Sequence, residues 1–181
     1  WSDPLHQTTD LLQADPDGVA TALADAVKSS PDSDYLTTWR TREAAVRQLM
    51  ADAAPDEARI IGTLREQLPS GSHLFSGNSL PIRQLDWFLD HRDAPLQILC
   101  NRGASGIDGN VATLLGVGGA GEGVLVGLLG DLTLVHDIGA LAEASSQAGV
   151  IIVLDNGGGA IFDHLPQTVL VEHEALFTTP R

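Results

Sequence analysis

Three scarcities bound what this chain can be. Aromatic residues make up only 4% of its 181 positions, so aliphatic side chains and alanine must fill any core. A single cysteine, Cys100, excludes an internal disulfide framework and suits a reducing cytoplasm. Lysine and arginine number 10 against 24 acids, a net charge of −14, which argues against nucleic acid or an anionic membrane surface as a partner. An anionic ligand would need local cations, helix amino termini or a metal ion. No apolar run reaches the about 20 residues of a membrane-spanning helix. The opening Trp1-Ser2-Asp3-Pro4 is neither a signal peptide nor headed by methionine, so the sequence reads as a piece of something longer.

What is present is ordinary in amount and uneven in placement. Hydrophobic residues at 43% suffice for one core with an appendage. The first third is acidic, alanine-rich and turn-rich. Asp15-Pro16-Asp17-Gly18 predicts a helix start running to Val27, Lys28 to Ser33 a linker, and Tyr35 to Met50 a helix with a modest apolar stripe. Residues 31–55 therefore read as a helical linker.

From Asp56 the pattern alternates. Glu57 to Leu68 is amphipathic, His73 to Phe75 a short strand, Leu80 to Leu89 helical, and Leu96 to Cys100 a second strand. A short helix over Asn110 to Leu115 precedes a glycine-rich turn and a third strand, Val124 to Leu129. A helix over Leu134 to Gln147 leads to a fourth, Val150 to Leu154. Strands that alternate with helices and are apolar on both faces predict an α/β fold, a parallel sheet with helices on both faces. In such sheets ligands bind beyond the carboxyl ends of the strands. Gly, Asn, Ser, Asp and Arg gather after each of the four strands.

Gly116-Val117-Gly118-Gly119-Ala120-Gly121 matches the dinucleotide fingerprint by letter. That motif belongs after a strand and before a helix; here it follows a helix and opens a strand, so it reads as a helix C-terminal turn. Gly130-Asp131 and Asp155-Asn156-Gly157-Gly158 are more informative, because they close two strands joined by one crossover helix. A carboxylate, an amide oxygen and a free carbonyl suit a hard divalent cation, and absent side chains let a diphosphate approach the backbone. The alternative is that Asp131 caps the following helix and Asn156 takes a left-handed turn.

"GDLTLVHDIGAL", followed after one crossover by "DNGGGAIF", resembles the metal–diphosphate signature of thiamine-diphosphate enzymes. "GNSLPIR" (Gly77 to Arg83), "NRGASGIDG" (Asn101 to Gly109) and "IFDHLP" narrow the resemblance. They are similar to the branch of that family in menaquinone biosynthesis, the 2-succinyl-5-enolpyruvyl-6-hydroxy-3-cyclohexene-1-carboxylate synthases. The resemblance covers about Asp56 to Pro166 and implies an incomplete thiamine-diphosphate-binding fold over 56–181, lacking its last elements, with residues 1–30 as the tail of a preceding middle domain. It implies thiamine diphosphate with Mg²⁺ or Mn²⁺, the metal held by Asp131, Asn156 and the Gly158 carbonyl. Gly130, Ser79, Ile161 and Ile107 would contact the cofactor, Ile107 as an apolar wedge that bends it. Ser79, Arg83 and Arg102 would face substrate carboxylates, for which arginine is suited. Ile161, Phe162 and Leu165 would line the substrate side, although each such apolar residue also suits a core. Asp155 departs from the family, which often has a second Asn there.

The implied reaction decarboxylates 2-oxoglutarate and adds the succinyl-semialdehyde carbanion equivalent to isochorismate. It needs a glutamate from an amino-terminal domain of a partner subunit, which no stretch here resembles. No catalytic residue is therefore expected in this chain, which alone is expected to be inactive. The intact cytoplasmic protein would be a dimer or tetramer that neither binds nucleic acid nor inserts into membranes. Two alternatives stay open: another thiamine-diphosphate 2-oxoacid enzyme, or a non-catalytic cofactor-binding module.

Overall fold

The four predicted strands form, each where an apolar run stands. The computed structural model describes residues 3–27, 33–53, 55–101, 106–144 and 149–179. Two compact units divide the chain, Trp1–Leu49 and Met50–Arg181. In the first, Pro16–Ala26 (α1) is helical because Asp15 accepts the Gly18 N–H at 2.8 Å and Pro16 stands where no amide donor is needed. None of its residues is buried. Asp34–Ala53 (α2) follows, and Tyr35, Trp39 and Leu49 along it are exposed. The linker predicted over Lys28 to Ser33 lies largely outside the described residues.

The second unit begins with Asp56–Gln67 (α3), continuing through Ser72–Ser76 (β1), Leu80–Phe88 (α4), Leu96–Cys100 (β2), Asn110–Ala120 (α5), Leu125–Gly130 (β3), Asp131–His136 (α6) and Val150–Leu154 (β4). The sheet is wholly parallel, in the order β2-β1-β3-β4. Successive strand residues point to opposite faces, and each face is covered. Leu74, Val126, Leu128 and Leu154 pack with Ile61 and Leu64 of α3 and Leu85 of α4. Phe75, Leu125 and Leu129 pack on the other side with Val111 and Leu114 of α5. Burying each such side chain stabilises the unit by about 1.5–3 kcal/mol. Gly127 lets α5 come close, since a Cβ there would lie 2.4 Å from a Leu114 methyl.

Two predicted helices change length. The expected Asn110–Leu115 helix runs on to Ala120, so most of the fingerprint-like glycines are helical, and the Gly121 N–H closes the turn on the Val117 carbonyl. Each helical glycine weakens that end by roughly 0.5–1 kcal/mol, which tertiary packing of α5 offsets. The helix expected over Leu134–Gln147 starts earlier, at Asp131, and stops at His136. Asp137 leaves helical geometry (φ −113°, ψ 22°), and a 3₁₀ helix, Ile138–Glu143, follows. Residues 145–148 lie outside the described residues.

Candidate cofactor site

The strand order fixes where a ligand can lie. From β1 the chain moves to β2 on one side, then crosses to β3 on the other, so the order reverses between β1 and β3. Loops leaving those strands diverge and open a crevice at their carboxyl ends. A cavity of about 200 Å³ lies there. Asn78 and Ser79 line it from the turn after β1, Ile107 from the loop after β2, Gly130, Asp131 and Thr133 from the start of α6, and Asn156, Ile161 and Phe162 from the segment after β4. Residues from four separate motifs thus line one cavity.

Each enters by its own local logic. Asp131 is the first residue of α6, with Gly130 at the N-cap position, and the residue is 5% exposed. Asn156 is exposed, and its Oδ1 accepts the Gly158 N–H at 3.2 Å. Asp155 does not line the cavity; its Oδ1 accepts the Gly157 N–H at 3.0 Å. The expected alternative for Asn156, a left-handed turn, falls instead on Gly157, Gly158 and Gly159, with φ of 84°, 94° and 82°.

Ser79 holds a conformation that side chains rarely adopt (φ 73°, ψ −129°). Strain of this kind costs about 1–3 kcal/mol and persists where the surroundings over-determine it. Here the brace is visible: Arg83 donates from Nη1 to the Ser79 carbonyl at 2.7 Å. Arg83 does not reach the cavity, and lines instead an open hollow of about 570 Å³ with Ile82, Leu85, Asp86, Leu89 and Ile98. Leu165 is exposed and also outside the cavity wall. Phe162 lines the cavity and packs against Phe177, ring centroids 5.2 Å apart. Arg102 lies outside the described residues.

Gly158 stands apart. It is not in the cavity wall, and its carbonyl accepts the Thr179 N–H at 3.4 Å. A Cβ on Gly158 would lie 2.1 Å from the Thr179 carbonyl oxygen, and one on Gly159 2.6 Å from that of Phe177. The glycine run therefore has a reason inside the chain: three left-handed residues, two of them under the segment that follows helix His173–Phe177 (α7).

The donors fit a hard cation in kind. Asp131 offers a carboxylate and Asn156 an amide oxygen. Among the described residues no cluster of three or more His, Cys, Asp or Glu could hold a metal, so neutral oxygens must complete any such set. Asn78, which sequence reasoning passed over beside Ser79, adds another: it is 7% exposed, and its Oδ1 has no hydrogen-bond partner among the described residues. Its only signal was its place in "GNSLPIR". A cavity of this volume is below the roughly 300–1,000 Å³ of a small-molecule site, and matches one end of a cofactor rather than the whole.

No family model matches the chain. It is 45% identical over 182 residues, all of its length, to a 2-succinyl-5-enolpyruvyl-6-hydroxy-3-cyclohexene-1-carboxylate synthase of Dechloromonas aromatica. By sequence, the chain is similar to a part of this synthase. Synthases of the same name from Rubrobacter xylanophilus and Geobacillus thermodenitrificans are 39% and 37% identical over 97% and 99% of the chain. The chain spans about a third of the length of these synthases (32%, 31% and 31%). The similarity extends beyond the Asp56–Pro166 stretch in which the motifs lie, to the acidic first third. The parallel α/β architecture expected from the sequence is present. None of the described helices is long and apolar enough to cross a membrane.

Proposed function

We propose that this chain forms the metal- and diphosphate-binding part of a thiamine-diphosphate-dependent synthase. The whole protein would decarboxylate 2-oxoglutarate and transfer the remaining four-carbon unit to isochorismate, a transferase step of menaquinone biosynthesis in the cytoplasm. The observation that carries this is the single cavity at the sheet's switch point, shared by Ser79, Ile107, Asp131 and Asn156. Similarity along the whole chain to synthases of that name supports it.

Asp131 and Asn156 would hold Mg²⁺ or Mn²⁺, with the Gly158 carbonyl as a third donor once Thr179 yields it. The buried Asp131 carboxylate is the one full negative charge in that set, so it would contribute most of the attraction for the ion. Bound thiamine diphosphate would supply the stabilised carbon nucleophile that breaks and makes the carbon–carbon bonds. Ile107 would press on its underside, excluding water and fixing its bend. Ser79, in the cavity wall and with its backbone braced by Arg83, would orient a substrate carboxylate. Arg102 would neutralise another. Ile161 and Phe162 would give the apolar wall on the substrate side, with Leu165 reaching it in the loaded site. The activating glutamate would come from a region of the synthases that this chain does not span, brought by a partner subunit of a dimer or tetramer.

The test is CO₂ release from 2-oxoglutarate by the whole gene product with Mg²⁺ and thiamine diphosphate. Release that depends on isochorismate supports the synthase. Release from pyruvate alone keeps the cofactor and discards the named reaction. No release from either leaves a binding module.

A further inference from the structure

Two of the motifs that line the cavity are joined to each other behind it. Asp137, the residue at which α6 ends, directs its Oδ2 at the first turn of α5, accepting the Val111 N–H at 2.7 Å and the Ala112 N–H at 3.0 Å. One residue earlier, His136 Nε2 lies 2.5 Å from Asp108 Oδ1. Thr113 and Asn101 fasten the same turn: the Thr113 hydroxyl donates to the Gly109 carbonyl at 2.7 Å, and Asn101 Nδ2 donates to Thr113 Oγ1 at 3.1 Å.

The bonds of Asp137 and His136 span 25 to 28 residues of chain, and both ends matter to the cavity. α6 starts at Asp131 and ends at His136, a rise of about 1.5 Å per residue, so its two ends are close. α5 is preceded by Ile107 and Asp108. The β3–α6 carboxylate and the apolar Ile107, which lines the same cavity, are therefore set by one short helix pinned at its far end. The four N–H groups at a helix start need acceptors, and an anion there is favoured by the helix dipole. Asp137 fills that role for α5, so a diphosphate entering the crevice finds the Val111 and Ala112 donors already engaged.

We infer that Asp137 and His136 are positioning residues, a clamp that holds Ile107 in register with Asp131 while touching neither ligand nor metal. The clamp rests on the reading of the cavity as a thiamine-diphosphate site only for its functional consequence; the mechanical link stands on the hydrogen bonds themselves. It predicts a split between two probes. Inorganic pyrophosphate with Mg²⁺ needs the Asp131–Asn156 side, whereas thiamine diphosphate with Mg²⁺ also needs Ile107.

The experiment uses the whole gene product, with Asp137→Leu, Asp137→Asn and His136→Leu beside the parent. Amide exchange without ligand is followed at residues 106–112, and calorimetry measures both probes. Asp137→Leu should speed exchange at Val111 and Ala112 at least tenfold and weaken thiamine diphosphate about tenfold, with pyrophosphate changed less than twofold. Asp137→Asn, which keeps an acceptor oxygen, should restore most of both, and His136→Leu should loosen residues 106–109 alone. Equal weakening of both probes in step with lost stability would reduce Asp137 to a helix cap and overturn the clamp. Unchanged exchange at residues 106–112 would overturn it without reference to any ligand. A parent that binds neither probe but shows the exchange pattern would overturn the cofactor reading and leave the clamp standing.

Discussion

The cavity has a central wall and a peripheral one, and they are held by different means. β1 and β3 lie inside the sheet, paired on both edges and buried through nearly every residue. Their end residues inherit that order: Asn78 and Asp131 are 7% and 5% exposed. Among the described strands β4 pairs on one edge only, with Val150 55% exposed and Asn156 open to solvent. Its turn is held by short side-chain-to-backbone bonds within residues 155–158 and by the 177–179 segment lying on Gly158 and Gly159. The central wall is thus positioned by the core, and the peripheral wall by local bonds that a ligand can exchange.

Substitutions can break or sharpen that contrast. Leu128→Ala, in the middle of β3 with no exposure, should cost about 2–5 kcal/mol in chemical denaturation, the largest effect on stability. On the ligand side, Asp131→Asn should weaken Mg²⁺-dependent diphosphate binding on the order of 100-fold, as metal-site partners do. Asp155→Asn, one strand over and outside the cavity lining, should change binding less than about threefold; equal effects by calorimetry would erase the distinction between the walls.

Gly158→Ala should destabilise by about 1–3 kcal/mol and free residues 173–179, read as new proteolysis there, because the added methyl meets the Thr179 carbonyl. Gly157→Ala is its control, with the same positive φ but nothing within 4 Å, and should cost only about 1 kcal/mol. Smallest of all, Val150→Ala on the outer edge of β4 should shift stability by no more than about 0.5 kcal/mol. A shift near that of Leu128→Ala would mean that β4 is as firmly packed as β3.

Much of the fold was legible because a parallel sheet buried on both faces demands unbroken apolar strands, and 125–130 and 150–154 are such runs. The break at Asp137 was not legible, since "LVHDIGALAE" keeps helical periodicity; the carboxylate leaves the helix for partners on α5, a contact 26 residues away. The site was partly legible. Ser79, Ile107, Asp131 and Asn156 line one cavity, whereas Arg83 faces another hollow and serves the backbone of Ser79. Asn78 went unnoticed because burial, not residue type, makes its amide oxygen significant.

By itself the sequence determined the alternation of strand and helix and the chemistry placed after each strand. Periodicity and turn residues act over a few positions, and so can be read from them. Only the tertiary structure decided the strand order β2-β1-β3-β4, and with it the switch point where four separated motifs line one cavity. It also decided what lies against the glycines of "DNGGG": in this chain, the carbonyls of Phe177 and Thr179. Close approach between segments some 20 residues apart depends on packing, and no local pattern encodes it.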